Sequence, residues 1–280
     1  MRDNCTVLVT GIPRSGTTLC CHLLNTLPNT VALHEPLPME TFNDLTRAEA
    51  VDAISRFKIL SRKEALSSRV VQTKHADGLV PSNPVWRACN DLRIEQVTLG
   101  SIDVDKALSK EFTLVIKHNA LFTTLLSNLV EVFPCYAIIR NPLATLASWQ
   151  TVDLPVHQGR LPMGELFDTK LRLQLNELET NIDRQLCILK WFYQQFSENV
   201  EQGHIIRYED IVDTNGNELS SLVDQSLHFS SQLENQNVSK LYRDLDINYL
   251  LDRLVKEETI FTDFYKVEEV VNLATELLAL

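Results

Sequence analysis

The sequence predicts an α/β fold of three layers, a central parallel β-sheet flanked by helices. Two observations carry this. Short apolar runs bounded by turn residues alternate with stretches of helical periodicity along most of the chain, as expected of a parallel sheet whose crossovers are helices. The first apolar run, Thr6–Thr10, also leads through the glycine-containing stretch "GIPRSGTTL" (Gly11–Leu19) into a helical pattern. A loop able to hold an anion therefore stands between the first strand and the first helix.

Taken in order, strands are expected at Thr6–Thr10, in a short run at Val31–Leu33, and at Val70–Thr73, Phe112–Ile116, Cys135–Ile139 and Ile205–Arg207. Between them, Gly16–Leu27 continues from the loop as a helix, and Arg47–Leu60 has apolar residues at helical spacing. Leu121–Val130 reads as a helix capped by Asn119. Pro142–Thr151 opens with Asn-Pro, a good cap and first-turn pair. Glu165–Asn199 has the pattern of one or two amphipathic helices, and later helices are expected around Glu218–Leu227, Ile247–Lys256 and Lys266–Leu278. "TVDLPVHQGRLPMGE" (Thr151–Glu165), rich in Pro and Gly, reads as a loop, either a lid over a site or a plain connector. With no repeat and no low-complexity linker, residues 1–280 are expected to form one domain.

Composition narrows the function classes. The chain of 280 residues is 44% apolar, enough for a sizeable core, and carries a formal charge of −11. That balance argues against broad nucleic-acid binding, which needs a basic face, and disfavours an anionic polymer as substrate. It allows one small anion in a local basic pocket. No apolar stretch approaches a membrane span, and "MRDNCTVLVTG" is too short in apolar residues for a signal peptide, so a soluble cytoplasmic protein is expected. Cys5, Cys20, Cys21, Cys89, Cys135 and Cys187 form no C-x-x-C pair, and the histidines His22, His75, His157, His204 and His228 form no metal-ligand pattern. The expected set of metal ligands is empty.

The loop itself is P-loop-like, with Gly11 and Gly16 at phosphate-loop spacing and Thr17-Thr18 following. The glycines let backbone N–H groups turn inward, the helix start adds its positive end, and the two threonines add hydroxyls. The lysine expected after Gly16 is absent, and a cation stands instead at Arg14. The result is a socket for one phosphate, with a cation placed beside a bridging or transferring group.

"PRSGTT" resembles the signature of sulfotransferases that use 3′-phosphoadenosine 5′-phosphosulfate (PAPS). The resemblance implies that Ser15, Gly16, Thr17 and Thr18, with Arg14, bind the 5′-phosphate, and that Arg14 also faces the sulfuryl group. In "YAIIRNPLATLASW" (Tyr136–Trp149), Arg140 at a strand end and Ser148 eight residues on match the family's 3′-phosphate pair. A guanidinium forking onto phosphate oxygens with a hydroxyl beside it is sound chemistry. "HIIRYEDIV" (His204–Val212) resembles the family's Arg-Tyr-Glu-Asp strand end, which makes Tyr208 the adenine contact. Lys266 is the one remnant of the family's C-terminal basic loop that the sequence offers.

Two bases compete. Glu35 in "VALHEPLP" (Val31–Pro38) resembles the base of the carbohydrate and protein-tyrosine branches, provided burial raises its pKa. His118 in "LVIKHNAL" (Leu114–Leu121) resembles the base of the small-molecule branch, with Lys117 or His118 also able to contact the sulfuryl group. Aligning on Lys117 instead puts Asn119 at the histidine position. His34 is expected to face away if the segment is extended, or to be brought in by an irregular turn before Pro36, and His75 in "TKHADG" to line the acceptor pocket.

The resemblance implies sulfuryl transfer from PAPS to a hydroxyl or amine of a small neutral or cationic metabolite, a guanidinium alkaloid such as saxitoxin in a natural-product pathway being one example. The released product would be 3′,5′-adenosine bisphosphate (PAP), with no metal required. The alternatives are a P-loop-type nucleoside or small-molecule kinase, which would need the missing lysine and an Asp at a strand end, and a non-catalytic nucleotide-binding protein. Oligomeric state is not legible.

Overall fold

The computed structural model describes residues 5–280 apart from 88–91, 224–226, 228, 230 and 231. Nine strands occur among them: β1 (Thr6–Gly11), β2 (Thr30–His34), β3 (Val70–His75), β4 (Val85–Arg87), β5 (Arg93–Glu95), β6 (Thr98–Asp103), β7 (Thr113–Lys117), β8 (Cys135–Ile139) and β9 (Ile205–Arg207). Five make a parallel sheet in the order β2-β7-β1-β8-β9. Counted within this sheet alone the order is 2-3-1-4-5, so the chain leaves β1 to one side and returns on the other. Such a switch point opens a crevice at the C-terminal strand ends. The three-layer α/β arrangement is the one the sequence predicts.

Strands β1, β2 and β8 are buried at every residue, because helices cover both faces of a parallel sheet and leave no solvent side. The run read at Val31–Leu33 is thus a full strand. Val70–Thr73 is a strand too, but outside this sheet: β3 pairs antiparallel with β6. It meets the sheet through one side chain. Thr73 Oγ1 accepts from the His34 N–H at 2.7 Å and donates to the His34 carbonyl at 3.2 Å, satisfying backbone groups on the outer edge of β2. A second antiparallel pair, β4 with β5, was not legible because each strand is only three residues long.

The helices follow their caps. Arg47–Ser67 starts at Thr46, whose hydroxyl and Glu49 form a reciprocal capping box. Asn141 caps Pro142–Trp149, its side chain accepting from the Leu143 N–H. Glu165–Asn199 is three helices rather than one or two, Pro162–Phe167, Thr169–Glu177 and Asn181–Asn199, because Asp168 and Thr180 each cap a new start. Asn119 is no cap: it is the first residue of a short helix, Asn119–Thr124, followed by Leu126–Leu129. Of the helix expected near Glu218, the described part is a turn at Asn217–Leu219 followed by the short helix Ser220–Val223; most of the remainder, with His228, lies outside the described residues. Ile247–Val255 and Val267–Leu278 form as expected.

One cluster of buried side chains extends from Val7 to Leu277, with Cys20 and Cys21 inside it; Cys89 lies outside the described residues. Among the described residues no helix is long and apolar enough to cross a membrane.

Candidate active site

A cavity of about 810 Å³ opens at the C-terminal edge of the sheet, within the range of small-molecule sites. Strand ends and the loops after them build its polar floor: Arg14 after β1, Glu35 after β2, Lys117 and His118 at the end of β7, Arg140 after β8 and Tyr208 after β9. The stretch Thr151–Glu165 forms an apolar wall through Leu154, Val156, Leu161 and Met163, and is partly helical (Pro155–Gln158 and the start of Pro162–Phe167) rather than plain loop.

The glycine loop is shaped by contacts that admit no side chain. A Cβ on Gly11 would stand 2.4 Å from the Ile138 carbonyl oxygen, and one on Gly16, where φ is +89°, would stand 2.6 Å from the Tyr208 ring. The helix Thr17–Asn25 opens at Gly16 without a side-chain cap. Its first-turn N–H groups therefore lack that partner where Gly16, Thr17 and Thr18 line the cavity. Ser15 is spent internally: its hydroxyl donates to the Ile138 carbonyl at 2.8 Å and its N–H to Ile12. That pins the loop to β8 and leaves the ligand-facing part to its neighbours.

Arg14 has φ +72°, a left-handed conformation that is uncommon for a non-glycine residue and often marks functional loops. Its Nε donates to Ser148 Oγ at 3.4 Å and its Nη2 to Asn83 Oδ1 at 3.1 Å. Arg140 is buried; Nε donates to Asn237 Oδ1 (2.7 Å), Nη1 to the Arg14 carbonyl (3.0 Å) and Nη2 to the Gln236 carbonyl (2.6 Å). Its guanidinium also lies over the Tyr208 ring, 4.9 Å from the centroid, and the Tyr208 hydroxyl accepts from the Gln236 N–H. Motif reading brings Arg14, Arg140, Ser148 and Tyr208 together, and so does the fold.

Three further residues at this end carry no sequence signal. Arg93, from the β4–β5 hairpin, donates to Thr151 Oγ1 (2.6 Å) and Ser148 Oγ (3.3 Å). The Tyr242 phenol lies beside Ser148 and Arg93, and Asn83 holds Arg14. Burial, with Arg93 and Arg140 nearby, brings the Arg14 pKa down to about 9. Burial would raise the Tyr242 phenol, but Arg140, Ser148, Arg93 and Arg14 outweigh it and lower it. Lys266 does not join this group; it precedes the helix Val267–Leu278, its N–H donating to Glu269.

The other end of the cavity is a network of ion pairs. Lys117 Nζ donates to Glu35 Oε1 at 2.7 Å and lies 3.5 Å from His34 Nδ1; Lys74 Nζ reaches Glu35 Oε2 at 3.2 Å and Glu95 Oε1 at 2.9 Å. Glu35 has φ +43°, and this turn brings His34 into the cavity lining rather than away from it. The expected raising of the Glu35 pKa is reversed. Burial pushes it up, but Lys117, His34 and Lys74 together hold it well below the usual carboxylate range. Burial lowers His118 to about 4. Its Nε2 contacts the Leu37 carbonyl at 3.1 Å, so Nε2 carries the proton there, and Nδ1 has no hydrogen-bond partner among the described residues. Asn119 Oδ1 and His34 Nε2 are likewise buried and unpartnered. His75 does not line the cavity; its Nδ1 accepts from the Gly78 N–H and closes a turn.

One end of the cavity thus gathers three guanidiniums beside an uncapped helix start, and the other holds a neutral imidazole whose Nδ1 is buried and unpartnered among the described residues. No family model and no curated protein sequence matches the chain. Among solved structures, the crystal structure of sulfotransferase STF9 from Mycobacterium avium is similar over 98% of this chain and 76% of its own, at 15% identity and a TM-score of 0.34. So loose an overlap adds nothing to what the sheet order and the site geometry already provide.

Proposed function

We propose that the protein is a PAPS-dependent sulfotransferase acting on a small molecule. The observation that carries this reading is the pairing of two anion sockets in one cavity: the uncapped helix start at Gly16–Thr18, and the Arg14–Ser148–Arg140 cluster beside it. A nucleotide with a 5′-phosphate and a separate 3′-phosphate needs two such sockets. A nucleoside triphosphate needs a lysine after Gly16 and an acidic residue at a neighbouring strand end, where β7 and β8 lead instead into Lys117 and Arg140.

In this reading Gly16, Thr17 and Thr18 hold the 5′-phosphate, Arg140 and Ser148 the 3′-phosphate, and Tyr208 the adenine. The acceptor oxygen or nitrogen attacks sulfur, the bond from sulfur to the bridging phosphate oxygen breaks, and PAP leaves. Arg14 stabilises charge developing on the bridging oxygen. His118 lines the cavity and is neutral above pH of about 4, which makes it the base for the acceptor's proton; its unpartnered Nδ1 is buried, so the ring turns toward the acceptor to take it. Glu35, held ionised by two lysines, acts with Lys117 to position that end of the cavity. Glu35 and Glu95 are both compensated by lysine, so this end does not call for a cationic acceptor. A neutral alcohol, phenol or amine fits better than a guanidinium alkaloid, and a cytoplasmic setting accords with this donor.

The test is PAP release from PAPS in the presence of a mixed panel of alcohols, phenols and amines. The expected result is acceptor-dependent PAP release that falls at least about 100-fold in Arg14→Ala. Phosphate transfer from ATP with Mg²⁺ and no PAP release would support the kinase reading instead.

A further inference from the structure

We propose that Arg93 selects for the 3′-phosphate of the nucleotide, completing from the β4–β5 hairpin a three-guanidinium socket with Arg14 and Arg140. This rests on the PAPS reading above.

Arg93 is only 8% exposed, yet it lines the cavity. Its backbone is fixed from both sides: its N–H donates to the Thr151 carbonyl (2.9 Å), and its carbonyl accepts from the Asp153 N–H (2.8 Å). The side chain is thus delivered to Ser148, the same hydroxyl that Arg14 reaches. Among the described residues, none of the three guanidiniums has a carboxylate partner. Other arginines of this chain do: Arg160 pairs with Glu165, Arg207 with Glu269 and Arg253 with Asp183. The carboxylate near Arg140, Glu209, is turned to the Asn141 N–H, Asn237 and Tyr265.

Gathering three like charges around one serine and one phenol costs free energy unless an anion joins them. The burial and mutual repulsion that lower Arg14 and Arg93 are consistent with that cost. A phosphate monoester supplies close to two negative charges and three acceptor oxygens, and guanidinium forks match that geometry. The neutral contacts to Thr151 and Ser148 orient Arg93 without neutralising it.

PAP and AMP differ only in the 3′-phosphate, so their dissociation constants, measured by calorimetry on wild type, Arg93→Gln and Arg93→Lys, isolate the effect. Wild type is expected to prefer PAP. Arg93→Gln is expected to weaken PAP about 30-fold, the loss of a charge-assisted contact, with AMP unchanged. Arg93→Lys, which keeps the charge but not the fork, is expected to weaken PAP about tenfold, and it carries the test if the Gln variant does not fold. A folded variant that keeps the wild-type PAP-to-AMP ratio, or loses both ligands equally, overturns the role of Arg93 and leaves the PAPS reading intact. Absence of any PAP preference in wild type overturns the PAPS reading itself.

Discussion

Of the two bases that compete in the sequence, the structure favours His118 over Glu35, and the reason lies in their neighbours. Glu35 looked tunable by burial alone, but Lys117 and Lys74, distant in sequence, hold it ionised. His118 has a free Nδ1 and a pKa lowered to about 4, and buried His34 one lowered to about 3. Three predictions belong to these residues. Turnover in His118→Asn should fall by about 100-fold or more, and the wild-type rate should stay level from pH 8 down to about 5.5, where an ordinary histidine base would already be half protonated or more. Both imidazoles have folded pKa values below the unfolded value of about 6.5, so the unfolded chain binds more protons between pH 6.5 and 4. Stability should therefore fall as pH drops through that window, by up to about 1.4 kcal/mol per pH unit for each histidine. Urea midpoints at pH 7.5 and 5 check this; equal midpoints would contradict it, and His34→Asn should flatten the slope. Arg14, Arg140, Ser148 and Tyr208 were legible because each sits in a contiguous motif. Arg93 and Tyr242 were not, because only the fold brings them to Ser148.

Elements were legible where local chemistry marks their ends. Asn141 before Pro142 announces its helix, and Asn141→Ala should cost about 1 kcal/mol, a drop of about 3 °C in melting temperature for a chain of this size. β3 shows the opposite case: its apolar pattern reveals a strand, but nothing local says that its partner is β6 or that Thr73 closes the edge of β2. The break at Asp168 was hidden because an N-cap inside a long amphipathic pattern also reads as a polar-face residue. Gly16 ties an element to function. Alanine there would meet both the positive φ and the Tyr208 ring at 2.6 Å, so Gly16→Ala should lower stability by about 1–3 kcal/mol and abolish nucleotide-dependent stabilisation in a melting experiment.

At the scale of the molecule, a chain of net charge −11 gathers Arg14, Arg93 and Arg140 at one edge of its sheet, without carboxylate partners among the described residues. Overall charge argues against extended anionic partners but does not reveal this local inversion, which depends on five strand ends and a hairpin meeting across the switch point. The strand alternation that predicts a parallel sheet does not contain the strand order, and the order is what makes the two anion sockets adjacent. The central claim is that this edge holds an adenosine bisphosphate rather than a metal-bound triphosphate. The most direct measurement is the thermal stabilisation of the purified protein by PAP, compared with ATP and Mg²⁺. A shift with PAP corresponding to about 2.7 kcal/mol at a hundredfold excess over its Kd is expected, and a much smaller one with ATP and Mg²⁺. Stabilisation by ATP and Mg²⁺ with none by PAP would contradict it.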